Sequence, residues 1–119
     1  MRVGIDLIEI DRVARALERH PRFVERVFTQ IERDYCLSRA NPAQHFAARF
    51  AGKEAVGKAL GFGVPFTWRE IEIAGRSKPG VSLSGRTAAW AQRVKAGAID
   101  LSMTHSKGMA AAVAVVDDA

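Results

Sequence analysis

Two carboxylates occupy sequence positions where a charged side chain needs an explanation. Asp6 lies in the apolar run VGIDLIEI, residues 3–10, which is typical of a largely buried β-strand. Glu54 lies at the margin of the apolar face of a long predicted helix, and Lys58 follows it by one turn. Two carboxylates, phosphate oxygens and water are ligands that suit Mg²⁺, because this ion dehydrates reluctantly. The pattern is therefore compatible with a magnesium site formed by Asp6 and Glu54.

A simpler interpretation is open for both acids. Glu54 and Lys58 at i,i+4 could form a surface ion pair, worth only about 0.3 to 0.5 kcal/mol on an exposed helix, and spacing alone favours this arrangement. Asp6 could be a buried acid satisfied by an arginine or a backbone amide, since burying an unpaired carboxylate is costly. The residues alone do not decide between these roles and a metal site.

Hydroxyl groups and a histidine cluster near the end of the chain. The segment IDLSMTHS alternates like a strand and contains Ser102, Thr104, His105 and Ser106. Side chains at the end of a strand beside a turn can contact a ligand. A lone histidine at such a position more often has a structural role, so this segment by itself assigns no site.

Arginines recur on one side of the predicted helices near the N-terminus. Acidic residues, Glu18 and Glu25, dilute this basic face only in part. Such a face can be merely solvated, or it can be a docking surface for an acidic protein. The residues that form it are Arg12, Arg15, Arg19, Arg22 and Arg26.

The composition narrows the class of protein. The chain has 119 residues, a formal charge of +5 and one cysteine, Cys36, so we expect one domain, 1–119, in a reducing, cytoplasmic compartment. No signal peptide is indicated, and the longest apolar run, residues 109–116, is far shorter than the roughly 20 residues of a membrane span. A helix-turn-helix, zinc-ligand or RNP signature is missing, which argues against nucleic acid as a partner. We expect no membrane association.

The periodicity predicts an α+β fold, with a largely antiparallel sheet packed on a long helix. The predicted order is β, three helices, ββ, α, ββ. Asp11 is the predicted N-cap of a helix through His20, with a further turn or helix over 21–28. Thr29-Gln-Ile-Glu32 has the spacing of a capping box.

The second half of the chain completes this pattern. The long helix spans 42–60 and Gly61 ends it as a left-handed C-cap. Segments around 71–73 and 81–84 form a predicted hairpin, and a helix over 86–96 ends at Gly97. Two further strands close the chain.

Three segments together resemble the holo-acyl-carrier-protein synthases, the small single-domain type of 4'-phosphopantetheinyl transferase. They are VGIDLIEIDRV, FAARFAGKEAVGKAL and LSMTHS, in the order and spacing of that family. The most specific is the middle one, an aromatic residue followed by xxKExxxK from Phe50 to Lys58. The resemblance covers essentially the whole chain, and it implies the 4'-phosphopantetheinyl transferase fold.

The resemblance implies an activity and a set of roles. A serine of an apo acyl carrier protein would receive 4'-phosphopantetheine from coenzyme A, in fatty acid biosynthesis, with release of adenosine 3',5'-bisphosphate. Asp6 and Glu54 would hold Mg²⁺, and Lys58 would contact phosphate oxygens. The serine could be deprotonated by Glu54, by Asp6 through water, or by His105, and we favour Glu54. The implied cofactor-binding residues are Arg49, Lys58, Ser102, Thr104, His105 and Ser106, with Arg49 and His105 near the 3'-phosphate end.

The resemblance also implies partners. The acidic carrier protein would dock on Arg12, Arg15, Arg19, Arg22 and Phe23, and the chain would form a homotrimer with sites between subunits. Ser38–Gln44 departs from the family, because Arg39 is its only basic residue where relatives often have several. Two alternatives stay open: a non-catalytic module that docks acidic proteins through its arginine face, and a transferase acting on carrier domains of polyketide or peptide synthases.

Overall fold

Five strands and five α-helices make up the described part of the chain, residues 1–61, 67–75 and 78–119 of a computed structural model. The predicted loop after Gly61 and the start of the predicted turn at 76–80 lie outside the described residues. A short 3₁₀ turn, Trp68–Glu70, precedes β2. The elements are β1 Arg2–Glu9, α1 Ile10–Arg19, α2 Pro21–Val27, α3 Gln30–Leu37, α4 Pro42–Leu60, β2 Ile71–Ala74, β3 Gly80–Leu83, α5 Gly85–Arg93, β4 Ala96–Ser106 and β5 Met109–Asp118.

The sheets are antiparallel throughout the described residues. β5 is the central strand of a three-stranded sheet in the order β1-β5-β4, and β2 pairs with β3 in a separate hairpin. Asp6 on β1 is opposite Ala112 on β5, which is opposite Met103 on β4. The α+β class with a largely antiparallel sheet is thereby confirmed. Among the described residues, no helix is both long and apolar enough to cross a bilayer.

The long helix α4 packs on this sheet through its small residues. Ala47, Ala51 and Ala55 are fully buried, and Ala59 is nearly so. At the closest approach, a Cβ added to Gly4 of β1 would lie 1.9 Å from the Ala55 carbonyl oxygen. Strand and helix backbones therefore meet almost directly, and this fixes the distance between β1 and α4.

Several helix boundaries differ from the prediction. Four α-helices, not three, lie between β1 and β2, because Pro21 starts a separate helix where the backbone at His20 (φ −129°, ψ 85°) leaves the helical region. Asp11 is not an N-cap; α1 follows β1 directly, and Asp11 lies in its first turn. Gly97 does not end α5, since that helix stops at Arg93 and Gly97 belongs to β4. The capping box at Thr29 and the left-handed Gly61 (φ 85°) are confirmed.

A buried ion pair links α3, α4 and β2. Lys53 Nζ lies 2.8 Å from Glu32 Oε1, and both side chains are completely buried. Lys53 also donates to the carbonyl oxygens of Trp68 and Ile71. Glu32 accepts from the backbone N–H groups of Thr29 (2.9 Å) and Ile73 (2.7 Å). Every donor and both oxygens of the pair are used, so this is a fully satisfied polar connection inside an apolar core.

Candidate functional site

The first group of predicted site residues meets where β1 crosses α4. Lys58 Nζ donates to Asp6 Oδ1 at 3.1 Å and to the Ile5 carbonyl oxygen at 2.9 Å. The Asp6 side chain is only 16% exposed, whereas that of Lys58 is 53% exposed. Lys58 thus forms its ion pair with Asp6 of β1. The spacing on α4 had suggested a surface pair with Glu54 instead.

Glu54 completes this cluster. Burial raises the pKa of Glu54, the charge of Asp6 raises it further, and Lys58 opposes both effects. Two carboxylates therefore repel one another at a half-buried position with one lysine nearby. A bound cation would relieve this repulsion.

Local sequence explains the cluster. Strand alternation turns Gly4, Asp6 and Ile8 toward α4, while Val3, Ile5 and Leu7 point away from it. Glu54 directly precedes Ala55, the residue whose carbonyl group meets Gly4. The close strand-helix contact therefore positions both carboxylates.

The donor set fits a hard cation with few protein ligands. Among the described residues no group of three or more His, Cys, Asp or Glu side chains is placed to hold a metal. Two carboxylates remain, and Mg²⁺ typically binds through one or two of them and keeps water or phosphate oxygens as its other ligands. A zinc site, which usually takes three or four nitrogen or sulfur ligands, is not formed by these residues.

The second group of predicted residues lines a cleft at the β4 edge of the sheet, of about 240 Å³. Arg49, Ser102, Thr104 and His105 all line it, together with Tyr35 and His45. Ser106, predicted with them, is not among its lining residues; it is paired with Met109 at the end of β4. We call this the cationic cleft, because its basic lining residues are His45, Arg49, Lys78 and His105.

Arg49 is the most unusual residue of the cationic cleft. It is 3% exposed, and its Nε has no hydrogen-bond partner in the described part of the protein. Its guanidinium lies 4.2 Å from the centroid of the Tyr35 ring, and Nη2 donates to the Gly75 carbonyl oxygen at 3.2 Å. A buried arginine with a free N–H beside a cleft indicates an anionic ligand.

The two groups lie on opposite edges of the sheet. Asp6 is on β1 and His105 on β4, and the central strand β5 separates them. Adjacent strands are about 4.8 Å apart, so the two edge strands are roughly 10 Å apart. A single chain therefore places the carboxylates and the cationic cleft in separate places, and His105 does not lie beside Glu54.

The predicted docking residues form a basic surface on α1 and α2. Arg12, Arg15, Arg19 and Arg22 are exposed, and a groove of about 540 Å³ is lined by residues 19–23 and Arg26. Phe23 is half-buried at its base, with ring centroids of Phe28 and Phe50 each at 6.1 Å. Phe50 lies one helical turn before Glu54, so the aromatic contact links this arginine surface to the carboxylates.

Sequence reasoning missed three residues of these regions. Lys53 was read only as part of a motif, although it forms the buried pair with Glu32. Gln44, in the first turn of α4, contacts His105 Nε2 through its Nε2 at 2.8 Å. His45 gave no signal, because its role depends on β4 packing beside the start of α4.

Comparison with known proteins extends this description. Residues 2–115 match the model of the 4'-phosphopantetheinyl transferase superfamily. A holo-acyl-carrier-protein synthase of Moorella thermoacetica is 46% identical over 120 residues, covering 98% of this chain and 94% of that protein. The corresponding protein of Chlamydia caviae is 44% identical over 117 residues, with coverages of 95% and 93%.

Solved structures agree with these relatives. An ACPS–coenzyme A complex of Chronobacterium ammoniagenes has a TM-score of 0.86 at 28% identity, covering 99% of this chain and 97% of that one. The Helicobacter pylori holo-acyl-carrier-protein synthase in complex with coenzyme A has a TM-score of 0.84 at 28% identity, with coverages of 97% and 99%. The resemblance seen in three sequence segments is thus confirmed over the whole fold. Because the match includes both β1, which carries Asp6, and α4, which carries Glu54, this chain belongs to the 4'-phosphopantetheinyl transferase superfamily.

Proposed function

We propose that this protein transfers 4'-phosphopantetheine from coenzyme A to a serine of an apo acyl carrier protein, in a Mg²⁺-dependent reaction of fatty acid biosynthesis. The observation that carries the proposal is the Asp6–Glu54–Lys58 cluster, in a chain similar to holo-acyl-carrier-protein synthases over nearly its full length. The serine oxygen forms a bond to the phosphorus of the phosphopantetheine. The bond from that phosphorus to the adjacent phosphate oxygen breaks, and adenosine 3',5'-bisphosphate leaves.

Each residue of the Asp6–Glu54–Lys58 cluster has its own proposed role. Asp6 and Glu54 would hold Mg²⁺, which when bound neutralises charge on the pyrophosphate. Lys58, more than half exposed and already paired with Asp6, can turn to a phosphate oxygen. Glu54 is the favoured acceptor of the serine proton, directly or through a water molecule, because a carboxylate beside the phosphate can act as a general base.

The arginine surface is proposed to dock the acidic carrier protein. Its arginines are exposed, and Phe23 offers an apolar contact in their midst. Because Phe23 packs on Phe50, one turn from Glu54, a carrier protein bound there has its serine near the carboxylates. Positive charge on this surface also accelerates encounter with an acidic partner.

A homotrimer with sites between subunits is part of the proposal. The outer face of the sheet exposes Val3 (59%), Ile5 (65%), Leu7 (63%) and Val113 (36%), an apolar surface suited to further copies of this chain. Cleft and carboxylates lie on opposite sheet edges, so a neighbouring copy can bring its cationic cleft to the carboxylates. We expect Ile5→Asp to yield a monomer by light scattering and to lose transfer activity; a trimer with full activity would contradict this arrangement.

Coenzyme A would then span two subunits. The carboxylates and Lys58 face its pyrophosphate, and Arg49 with His105 faces the adenosine end. In this arrangement His105 is assigned to binding the adenosine end, and Glu54 stays the favoured base. A cytoplasmic location is proposed with this function, and the reduced, buried Cys36 is compatible with it.

Intact-mass spectrometry tests the proposal directly. An acidic apo acyl carrier protein is incubated with this protein and coenzyme A, with Mg²⁺ or with a chelator. A mass gain of one phosphopantetheine that requires Mg²⁺ supports the function. Asp117→Asn, at an exposed acid near the end of β5, is the matched control for Glu54→Gln and should keep the activity. No gain with several carrier proteins that still bind would favour a non-catalytic docking module.

A further inference from the structure

His45 faces the cationic cleft from the start of α4. Its side chain is half-buried, and its ring meets the Tyr35 ring edge-on, with centroids 5.8 Å apart. Neither sequence periodicity nor the family segments single out this residue. It is one of only three histidines in the chain, with His20 and His105.

The charges that surround His45 are mostly positive. From the end of α3, Arg39 lies over the Tyr35 ring at 5.6 Å, and on α4 Arg49 lies over the same ring at 4.2 Å. On β4, His105 is held by Gln44. Lys78 before β3 also lines the cleft, but its Nζ is 2.6 Å from Asp100 of β4 and is partly neutralised.

The protein surroundings of His45 favour its neutral form. Burial lowers the pKa of His45, and the charges of Arg39, Arg49 and His105 lower it further. Among the described residues that line the cleft, none is acidic. A bound anion would supply the opposing charge, and the buried Arg49 Nε, which has no hydrogen-bond partner among the described residues, indicates the same.

Building on the function proposed above, we propose that His45 binds the 3'-phosphate of the coenzyme A donor and takes up a proton as it does so. A phosphomonoester carries close to two negative charges near neutral pH and has three acceptor oxygens. It would screen the arginines from His45 and offer a protonated imidazole a charge-assisted hydrogen bond. His45 thus supplies a cation in a region where residues 38–44 contain only Arg39.

The consequence is a pH-dependent affinity. The imidazole is neutral in the free protein and protonated in the complex, so binding consumes a proton between the two corresponding pKa values. Affinity for the donor is highest at lower pH and falls as the pH rises through the higher value, that of the complex. A residue that only packs against Tyr35 would not produce this dependence.

Titration calorimetry of this chain with coenzyme A and with 3'-dephospho-coenzyme A, at about pH 6.5 and at about pH 8.5, tests the idea. Relative to wild type, His45→Gln should bind coenzyme A ~10-fold more weakly at the lower pH and equally well at the higher pH. His45→Lys, with a permanent charge, should restore tight binding at both. Arg93→Gln, at an exposed cation in the last turn of α5, should match wild type throughout.

The outcomes separate this inference from the proposed function. The inference is overturned if the ratio of wild-type affinity to His45→Gln affinity for coenzyme A does not change with pH. It is also overturned if 3'-dephospho-coenzyme A gives the same pH-dependent ratio. In both cases the transferase function stands. Wild-type protein that binds no coenzyme A at either pH refutes the proposed function itself. Circular dichroism of each variant establishes that it is folded before binding is measured.

Discussion

Gly4→Ala should disrupt both stability and activity, because this glycine is where β1 and α4 touch. An added Cβ would lie 1.9 Å from the Ala55 carbonyl oxygen, 2.7 Å from the Ala59 nitrogen and 2.9 Å from the Ala55 carbonyl carbon. All three are backbone atoms of a buried helix, so no flexible side chain can move aside. Strand and helix must separate by on the order of 1 Å or more to restore ordinary contact distances.

The size of the effect follows from that geometry. Overpacking a core typically costs about 1 to 3 kcal/mol, and a backbone clash belongs at or above the upper end. We therefore expect Gly4→Ala to lower the free energy of unfolding by about 3 kcal/mol. Asp6 is two residues further along the same face of β1, and Glu54 adjoins Ala55, so the carboxylates move apart as well. A misplacement of 1 Å near reacting groups can reduce the rate by about 100-fold.

Urea unfolding measures the loss of stability. Modification of the carrier protein, at a temperature where the variant is fully folded, measures the loss of activity separately. Gly80→Ala is the matched control, because among the described residues its added Cβ would have no neighbour closer than 3.9 Å. That variant should be unchanged or slightly more stable, by up to about 1 kcal/mol. Wild-type stability and activity in Gly4→Ala would show that the strand-helix contact does not fix the carboxylates.

Three further substitutions and the reactivity of one cysteine test other parts of the structure. Lys53→Met should lower stability by about 3 to 5 kcal/mol in urea unfolding, because it leaves the Glu32 carboxylate buried without its cation; wild-type stability would contradict the buried pair. Glu54→Gln should abolish transfer, as measured by mass spectrometry. In Mg²⁺-free buffer near neutral pH it should unfold at an equal or higher urea concentration than wild type, because the raised pKa of Glu54 means that folding disfavours its charged form. Any gain in stability should vanish at pH values below the ordinary pKa of a carboxyl group. Arg22→Glu should raise the KM for the carrier protein ~10-fold at low salt and leave that for coenzyme A unchanged; equal changes in both would argue against a docking role. Cys36, whose pKa burial raises to about 12, should stay unreactive to thiol reagents at mildly alkaline pH until the protein is unfolded.

The sequence predicted those parts of the fold that local rules control. The capping box at Thr29, the Gly61 cap and the strand alternation around Asp6 each depend on residues close in the chain. The predicted order had one helix too few before β2, because the segment over 21–28, predicted as a turn or helix, forms a separate helix, Pro21–Val27. The end of α5 was wrong because Lys95, and not Gly97, adopts the left-handed conformation there (φ 59°).

The candidate site was predictable only to the extent that its residues share one element. Glu54 and Lys58 could be placed one turn apart on a helix, but the partner of Lys58 is Asp6, which is far away in sequence. The cationic cleft depends on β4 packing beside α3 and α4, which no short-range pattern reveals. That the cleft and the carboxylates lie on opposite edges of the sheet follows from the strand order β1-β5-β4, a property of the fold and not of any motif.

The balance of polar interactions distinguishes structural from functional charge in this protein. Lys53 and Glu32 are completely buried, yet each finds all its partners within the chain, so nothing further needs to bind there. Burial, and then the charge of Asp6, push Glu54 toward its neutral form, and Arg49 keeps a buried N–H without an acceptor among the described residues. The carboxylates lack a cation, and the arginine lacks an anionic acceptor. A metal ion suits the first place and a phosphate suits the second. Coenzyme A bound with Mg²⁺ supplies both the cation and the phosphate, provided that a second copy of the chain brings the β1 edge and the β4 edge of the sheet together.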